Sequence, residues 1–258
     1  MRPDTDVHQV FHLAACGCKT SEIARWASVP RSTVHGWLSN GENATLDSPM
    51  RRRGDSASCP DLCPRRQDAP AAAYAYLLGQ YLGDGSIVHT RRGVYRLFIS
   101  CCAAYPDIVE ETLKAMRSVL PENKVGRRTH SGVIDLNCYS KHWPCLFPQH
   151  GPGKKHTRPI VLEPWQERIA LQLHPHLLLR GLIHSDGWRG LNRVRSARGV
   201  MYEYPRYIFT NYSADIRELF MEACRRVGVQ CRRMTKVDVS VAPQASVARL
   251  DEFIGPKS

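Results

Sequence analysis

Two aspartates stand at the ends of two similar segments of this 258-residue chain. The first segment reads Leu77-Leu-Gly-Gln-Tyr-Leu-Gly-Asp84-Gly, and the second reads Leu179-Arg-Gly-Leu-Ile-His-Ser-Asp186-Gly, 102 residues later. Paired carboxylates suit hard divalent cations, which prefer oxygen ligands. Cations held in this way can activate water and stabilise a leaving oxygen. The spacing therefore indicates chemistry on phosphodiester bonds.

Each segment predicts a short apolar helix that carries its aspartate at the carboxyl end. Small residues lie four apart in the first copy at Gly79 and Gly83. The second copy repeats them at Gly181 and Ser185. A glycine inside a helix costs about 1 kcal/mol relative to alanine, so we expect these faces to pack backbone against backbone. The terminal glycine is expected to stop each helix in the left-handed conformation, and the helix dipoles add negative charge beside the carboxylates.

At these residues the chain resembles the single-chain LAGLIDADG homing endonucleases, over about residues 71 to 256. The resemblance implies an α+β fold of two pseudo-symmetric αββαββα half-domains, which form a DNA-binding saddle with the paired helices as their interface. It also implies that Asp84 and Asp186 are catalytic and bind Mg²⁺. In the family a basic residue on the closing strands lies near the metals; Lys236 is the candidate, with Arg127 or Arg128 as its first-half counterpart.

The pattern of apolar residues gives the same order of elements in both halves, which we expect at 73–173 and 174–258. Both halves should contain a helix with an Asp-Ile start, at Asp107 and at Asp215, and this second match supports a duplication. The remaining expected elements are strands in 86–100, 124–139, 188–198, 206–211 and 230–241, and closing helices at 165–173 and 248–254.

Net charge separates the chain into two parts. Residues 1–70 carry nine Lys and Arg against eight Asp and Glu, whereas residues 71–258 carry 27 against 16. The part with the two motifs holds the cationic excess, which favours double-stranded DNA as partner; on charge alone, a solvated basic surface is the alternative. There is no apolar run of membrane-spanning length and no signal-peptide core. We expect a cytoplasmic monomer that does not contact membranes.

Residues 1–40 predict a small all-α helix-turn-helix domain of the resolvase and transposase type. Thr20 is a candidate cap for a helix that ends near Trp26, and a second helix is expected at 31–38. The second helix would enter the major groove with its N-terminal end. The residues that would then face bases or phosphates are Arg31, Ser32, Thr33 and His35. A helical hairpin used for packing or for a protein contact is the alternative.

Residues 41–72 lack periodicity and predict a linker. Cys59 and Cys63 within it have a spacing that suits half of a zinc site. A second ligand pair is missing nearby in the sequence, and Cys16 and Cys18 could supply one only through the fold. The sequence therefore gives little support for structural zinc, and we expect the ten cysteines to be mainly reduced thiols.

Basic residues on the expected strands and turns are the candidates for DNA contacts. The predicted set is Arg91, Arg92, Arg127, Arg128, Arg193, Arg195, Arg232 and Arg233. Residues 142–156, rich in His and Pro, predict a basic loop with Lys154, Lys155 and His156 near phosphate. A metal cluster of its histidines is the alternative.

These features predict a site-specific, Mg²⁺-dependent double-strand DNA endonuclease of the homing type, from a mobile element, with an added DNA-reading module. A transcriptional regulator with a LAGLIDADG-like core that lacks cleavage is the first alternative, and an intron RNA maturase is the second. The presence of both acidic residues favours the enzyme, since a regulator would be free to lose them.

Overall fold

The computed structural model describes residues 4–46, 63–90, 94–195 and 199–255. The chain divides into two compact units, Met1–Pro60 and Asp61–Ser258. Cys59 and the predicted DNA contacts Arg91 and Arg92 lie outside the described residues. Within those ranges, no helix combines the length and apolarity needed to cross a membrane.

The first unit contains helices around a small apolar core. They are α1 (Asp4–Ala15), α2 (Thr20–Trp26), α3 (Arg31–Asn40) and α4 (Glu42–Leu46). The buried side chains are Val7, Val10, Ile23, Ala27, Val29 and Val34. The predicted cap of α2 was wrong, because Thr20 is its first residue and Lys19 occupies the cap position. The Glu22 carboxylate reaches back and accepts a hydrogen bond from the Lys19 N–H at 2.9 Å, which ties down the start of this helix.

The second unit repeats one order of elements. Before the repeat lies α5 (Pro64–Asp68), which, like α4, falls in the segment predicted as a linker. The first half consists of α6 (Ala71–Leu82), β1 (Gly85–His89), β2 (Tyr95–Cys102), α7 (Pro106–Val119), β3 (Val125–His130), β4 (Val133–Ser140), α8 (Trp143–Leu146) and α9 (Pro164–Glu167), which continues as a π-helix over Arg168–Leu173. The second half consists of α10 (Pro175–Asp186), β5 (Gly187–Arg195), β6 (Met201–Thr210), α11 (Ala214–Arg226), β7 (Arg232–Arg233), β8 (Asp238–Val241) and α12 (Gln244–Ile254).

Both halves form a four-stranded antiparallel sheet with the same topology. The strand orders are β1-β2-β4-β3 and β5-β6-β8-β7. The duplication extends to an ion pair between each sheet and its helix: Arg127 contacts Glu110 of α7 at 2.9 Å, and Arg233 contacts Glu218 of α11. The predicted α+β fold class with two repeated halves is confirmed.

The two helices that carry the repeated motif pack backbone against backbone. A Cβ atom added to Gly79 would lie 2.6 Å from the carbonyl oxygen of Leu178, and one added to Gly181 would collide with the carbonyl oxygen of Tyr76. Nine of the twelve residues of α6 and six of the twelve residues of α10 are buried. The predicted close approach of the two glycine faces is therefore what the structure shows, and it fixes where the two helix ends meet.

The expectation of left-handed glycines at the helix ends was wrong. Gly83 has φ −80° and Gly187 has φ −98°, so neither adopts a positive φ. Close contact explains the terminal glycines instead, since a Cβ on Gly85 would lie 2.5 Å from the Cα of Tyr81, and one on Gly187 would lie 2.6 Å from the Cα of Ile183. A strand begins at Gly85, three residues after the last residue of α6, and at Gly187, directly after α10. At both positions only glycine fits against the last helical turn.

We predict that Gly181→Ala lowers the free energy of unfolding of the second unit by about 2 to 3 kcal/mol. The added methyl would meet the backbone of α6, so the helices must separate, and such overpacking exceeds the gain in helix propensity. The measurement is urea-induced unfolding followed by circular dichroism. The matched control is Gly36→Ala in α3, where an added Cβ meets no atom within 4 Å; this change should be neutral or stabilising. A stabilised Gly181→Ala protein would contradict the backbone contact.

Candidate metal and nucleic-acid site

The carboxyl ends of α6 and α10 lie against each other. A Cβ atom on Gly83 would collide with the Ser185 side chain and lie 3.1 Å from Oδ2 of Asp186. The Asp186 carboxylate therefore reaches the residue that precedes Asp84. Backbone packing at Gly79 and Gly181 thus brings the two predicted acidic residues to one end of the helix pair.

The two carboxylates open toward different spaces. Asp186 is half-buried and lines a cleft of about 1150 Å³, and Asn211 Nδ2 donates a hydrogen bond to its Oδ2 at 2.7 Å. Asp84 is exposed and lines a neighbouring cavity of about 70 Å³. Ser185 lines both spaces. The arrangement offers oxygen ligands on both sides of the helix junction, which is the donor type that hard divalent cations prefer.

A lysine ammonium group sits at the end of α6. Lys155 Nζ donates to the carbonyl oxygens of Tyr81, Gly83 and Gly85 at 2.5, 2.6 and 2.8 Å. The Tyr81 carbonyl belongs to the last turn of α6, where the helix dipole places negative charge and a cation is stabilising. The Gly83 carbonyl follows the helix, and the Gly85 carbonyl begins β1. Lys155, which the sequence predicts near phosphate, hydrogen-bonds these backbone carbonyls and also lines the cleft that Asp186 lines. Its position could not be derived from spacing, because more than seventy residues separate it from the helix it caps.

The ammonium group of Lys155 is close enough to Asp186 and Asp84 for both carboxylates to influence its pKa. Burial lowers the pKa of Lys155 to about 8, while Asp186 and, more weakly, Asp84 act to raise it. Its ammonium also lies 5.2 Å from the centre of the Tyr81 ring. One cation and two carboxylates therefore share the end of the helix pair, and their charges partly offset each other.

Lys236 lies in the exposed bend between β7 and β8. The next residue, Val237, accepts a hydrogen bond through its carbonyl from the N–H of Asn211, at 2.9 Å. Asn211 in turn donates to Asp186. The equivalent bond in the first half runs from the N–H of Ala103 to the carbonyl of Gly132. The bend that holds Lys236 is thus tied to the segment that contacts Asp186.

The first sheet presents a polar face opposite the helix-covered face. Alternate residues of β2 are buried in the core, and the residues between them, including Arg96, Phe98 and Ser100, point to the other face. On β3, Arg128 shares that polar face. The predicted DNA contact Arg127 lies on the helix-covered face, on the side of buried Val125, and pairs with Glu110.

The second sheet repeats this division. Arg233, another predicted DNA contact, lies on the helix-covered face, because it is opposite buried Val239 and pairs with Glu218 of the covering helix. Arg232 is opposite Ser240 on the polar face. The predicted contacts Arg193 and Arg195 lie on the same face as Arg189 and buried Tyr207, which is the helix-covered face. Arg193 pairs with Glu203 at 2.7 Å, and Arg195 Nε donates a hydrogen bond to the Gly199 carbonyl.

Two half-buried arginines on the polar faces were missed by the sequence interpretation. Arg206 donates to Asn192 Oδ1 and to Ser240 Oγ, both at 2.9 Å. The guanidinium of Arg96 lies 5.4 Å from the centre of the Phe98 ring. In both arginines the Nε atom is buried with no hydrogen-bond partner in the described structure. The alternation of apolar core residues along β2 and β6 is the signal that could have identified them.

In the first unit, the predicted DNA-reading residues lie along the N-terminal part of α3. Arg31, Ser32 and His35 are exposed, and Thr33 is partly buried. Val34, between them, is fully buried in the helical core. This face of α3 is therefore polar and accessible within its own unit.

Solved structures of LAGLIDADG proteins are similar to this chain at low identity. The homing endonuclease I-DmoI in complex with DNA and Mn matches with a TM-score of 0.49 and 15% identity, covering 72% of this chain and 98% of that chain. The LAGLIDADG meganuclease I-AabMI, bound to uncleaved DNA, matches with a TM-score of 0.44 and 14% identity over 70% and 82% of the two chains. The N-terminal LAGLIDADG domain of WhiA matches with a TM-score of 0.46 and 12% identity over 74% and 89%.

No protein-family model matches the chain, and no curated protein matches its sequence. The assignment of chemistry therefore depends on the geometry of its own residues.

We predict that Lys155→Met lowers the free energy of unfolding of the second unit by about 2 kcal/mol. Three carbonyl oxygens would lose a charged donor, and buried acceptors without a donor cost free energy. Chemical unfolding measures the change. Lys154→Met is the matched control, because Lys154 is the exposed neighbouring lysine and should alter stability by less than about 0.5 kcal/mol. Equal stabilities of the two variants would contradict the role of Lys155 at the helix end.

Proposed function

We propose that the second unit is a divalent-metal-dependent, site-specific double-strand DNA endonuclease of the homing type. The observation that carries this proposal is the junction of α6 and α10, which brings the segments of Asp84 and Asp186 into contact. In this proposal both carboxylates bind the metal and are catalytic. The bound cation, Mg²⁺ in the proposal, would activate water and stabilise the leaving oxygen of the phosphodiester.

The residues around the two carboxylates would orient them for binding the cation. Asn211 donates to one oxygen of Asp186 and thereby orients that carboxylate. Lys155 fixes the last turn of α6, from which the chain continues to Asp84. Lys236 is proposed to support the transition-state charge, since its bend is connected to Asp186 through Val237 and Asn211.

The polar faces of the two sheets would contact the duplex. Arg128 and Arg232 remain from the predicted set, and Arg96 and Arg206 join them because they lie on the same faces. Arg127 and Arg233 are left out, since each is paired on the helix-covered side. Arg193 and Arg195 would contact phosphate only from the edge of the long β5–β6 hairpin. The cationic excess of residues 71–258 supports such a surface.

The first unit would add a second DNA contact. Arg31, Ser32, Thr33 and His35 are proposed to read the major groove from the N-terminal part of α3. Their support is the exposed polar edge of α3 above the core formed by Val34 and its neighbours. The arrangement of α2 and α3 within this unit agrees with a helix-turn-helix.

One observation favours a second candidate, a DNA-binding regulator that does not cleave. Lys155 already places a positive charge at the backbone carbonyls that end α6. Asp84 and Asp186 also line different cavities. If the ammonium takes the place of a metal ion, the fold would still bind DNA through the same sheet faces.

The test of cleavage is incubation of the full chain with Mg²⁺ and a randomised duplex library, followed by sequencing of the cut ends. We expect sequence-dependent double-strand cuts that fall at least about 100-fold in Asp84→Asn and in Asp186→Asn, a loss of about 2.7 kcal/mol in transition-state stabilisation. Glu252→Gln, an exposed carboxylate on α12, is the control and should cut normally. Sequence-specific binding without cuts at any divalent cation would support the regulator instead.

We predict that Arg128→Ala weakens DNA binding about three- to tenfold and reduces the slope of log affinity against log salt by about 1. Arg127→Ala, its neighbour on the opposite face, should leave affinity and slope unchanged because its partner is Glu110. Fluorescence anisotropy with a duplex obtained from the randomised library measures the affinity and its salt dependence. Equal losses in the two variants would show that the polar face is not the DNA surface.

A further inference from the structure

Two cysteines and a histidine come together at a distance from the paired helix ends. The Sγ atoms of Cys63 and Cys145 and a ring nitrogen of His142 all lie within 4.8 Å of one another. The Cys63 Sγ is 3.4 Å from Nδ1 of His142. His142 is the cap residue before α8, and Cys145 lies within that helix. Cys63 comes directly before α5, 79 residues before His142 in the chain.

The separation of Cys63 and His142 fits two ligands of one tetrahedral metal ion. Zinc binds cysteine sulfur at about 2.3 Å and histidine nitrogen at about 2.0 Å. Ligand atoms on the corners of such a tetrahedron are therefore about 3.3 to 3.8 Å apart. The Cys63–His142 distance has this value without any change in the backbone. Thiolate and imidazole ligands together select zinc over magnesium or calcium.

The surroundings hold the three side chains in place. Cys63 is 1% exposed, and the adjoining residues Trp143 and Leu146 are fully buried. Trp143 Nε1 donates to the carbonyl of Cys138 at 2.9 Å, which anchors α8 on the first sheet. Arg66 Nε donates to the carbonyl of Cys145 at 2.9 Å, which joins α5 to α8 at the same point. The ligand groups are thus presented by a rigid part of the core.

A disulfide would use only the two cysteines and would give no reason for an imidazole at the same distance. The sequence offers Cys63 together with Cys59 as half of a zinc site, and it places His142 and Cys145 in the predicted basic loop 142–156. The fold brings the second pair of ligands, in a His-x-x-Cys arrangement, to Cys63.

We propose that Cys63, His142 and Cys145 supply three of the four ligands of one structural zinc ion in the second unit. The ion would connect α5 to α8, and so fix the beginning of the segment that runs from α8 to Lys155. This site is separate from the acidic one: its ligands are sulfur and nitrogen, and it would retain zinc when the helix-end carboxylates are replaced.

The test is the metal content of the full chain, purified under reducing conditions, reconstituted with zinc and desalted. We expect one zinc per chain by mass spectrometry, retained in Cys102→Ser, an exposed control, and lost in Cys63→Ser and Cys145→Ser. Cobalt in place of zinc should give the visible and thiolate charge-transfer absorption of a tetrahedral thiolate site. A zinc-free wild-type protein, or variants that keep the ion, would overturn the proposal.

A second measurement on the wild-type chain covers the case in which the variants fail to fold. Zinc should slow alkylation of Cys63 and Cys145 at least about tenfold, and a chelator should restore it, because a metal-bound thiolate is withdrawn from reaction. Cys16 and Cys102, both exposed, should react equally fast in either condition. An alkylation rate of Cys63 and Cys145 that is the same with and without zinc would refute the zinc site. A Cys63–Cys145 disulfide in the mass spectrum would refute it as well.

Discussion

The contact between Gly79 of α6 and Gly181 of α10 is the constraint on which the second unit depends. Side chains cannot separate the two helices at that point, so their carboxyl ends meet at a defined distance. Asp186 is the last residue of α10 and Asp84 lies two residues beyond the end of α6, so the packing of the two helices fixes the position of both. The two sheets begin immediately afterwards, at Gly85 and Gly187. One backbone contact therefore places both the acidic residues and the sheet faces that would contact DNA.

The repeat explains how the sequence could predict this part of the fold. Gly79 and Gly181 occupy the same position of the repeated motif, and an Asp-Ile pair stands at the second and third positions of both α7 and α11. Helices and strands with strong periodicity formed where expected. The duplicated ion pairs of Arg127 with Glu110 and Arg233 with Glu218 are a consequence of the repeat, yet the sequence interpretation assigned these arginines to DNA. Which face of a strand a residue occupies depends on register against a neighbour, and charge alone does not give it.

Long-range contacts set the limit of what the sequence could predict. Lys155 reaches the end of α6 from a segment without periodicity, and His142 and Cys145 meet Cys63 across most of the first half. No local pattern encodes either contact, because both join segments that are more than seventy residues apart in the chain. The prediction of left-handed glycines at the helix ends was wrong for a different reason. Gly85 is required because a Cβ atom there would collide with Tyr81, and its φ angle is not positive.

The central claim is that the two helix-end carboxylates act as one cation site despite their separate cavities. The most direct test is a double-mutant cycle on the Mn²⁺ affinity of the DNA-bound protein. The affinity is obtained from the electron paramagnetic resonance signal of free Mn²⁺. We expect Asp84→Asn and Asp186→Asn each to weaken binding, and the double variant to lose much less than the two single losses combined, since interacting groups are not additive. Additive losses would show two independent sites. Unchanged Mn²⁺ affinity in both single variants would contradict a metal-binding role for the helix ends altogether.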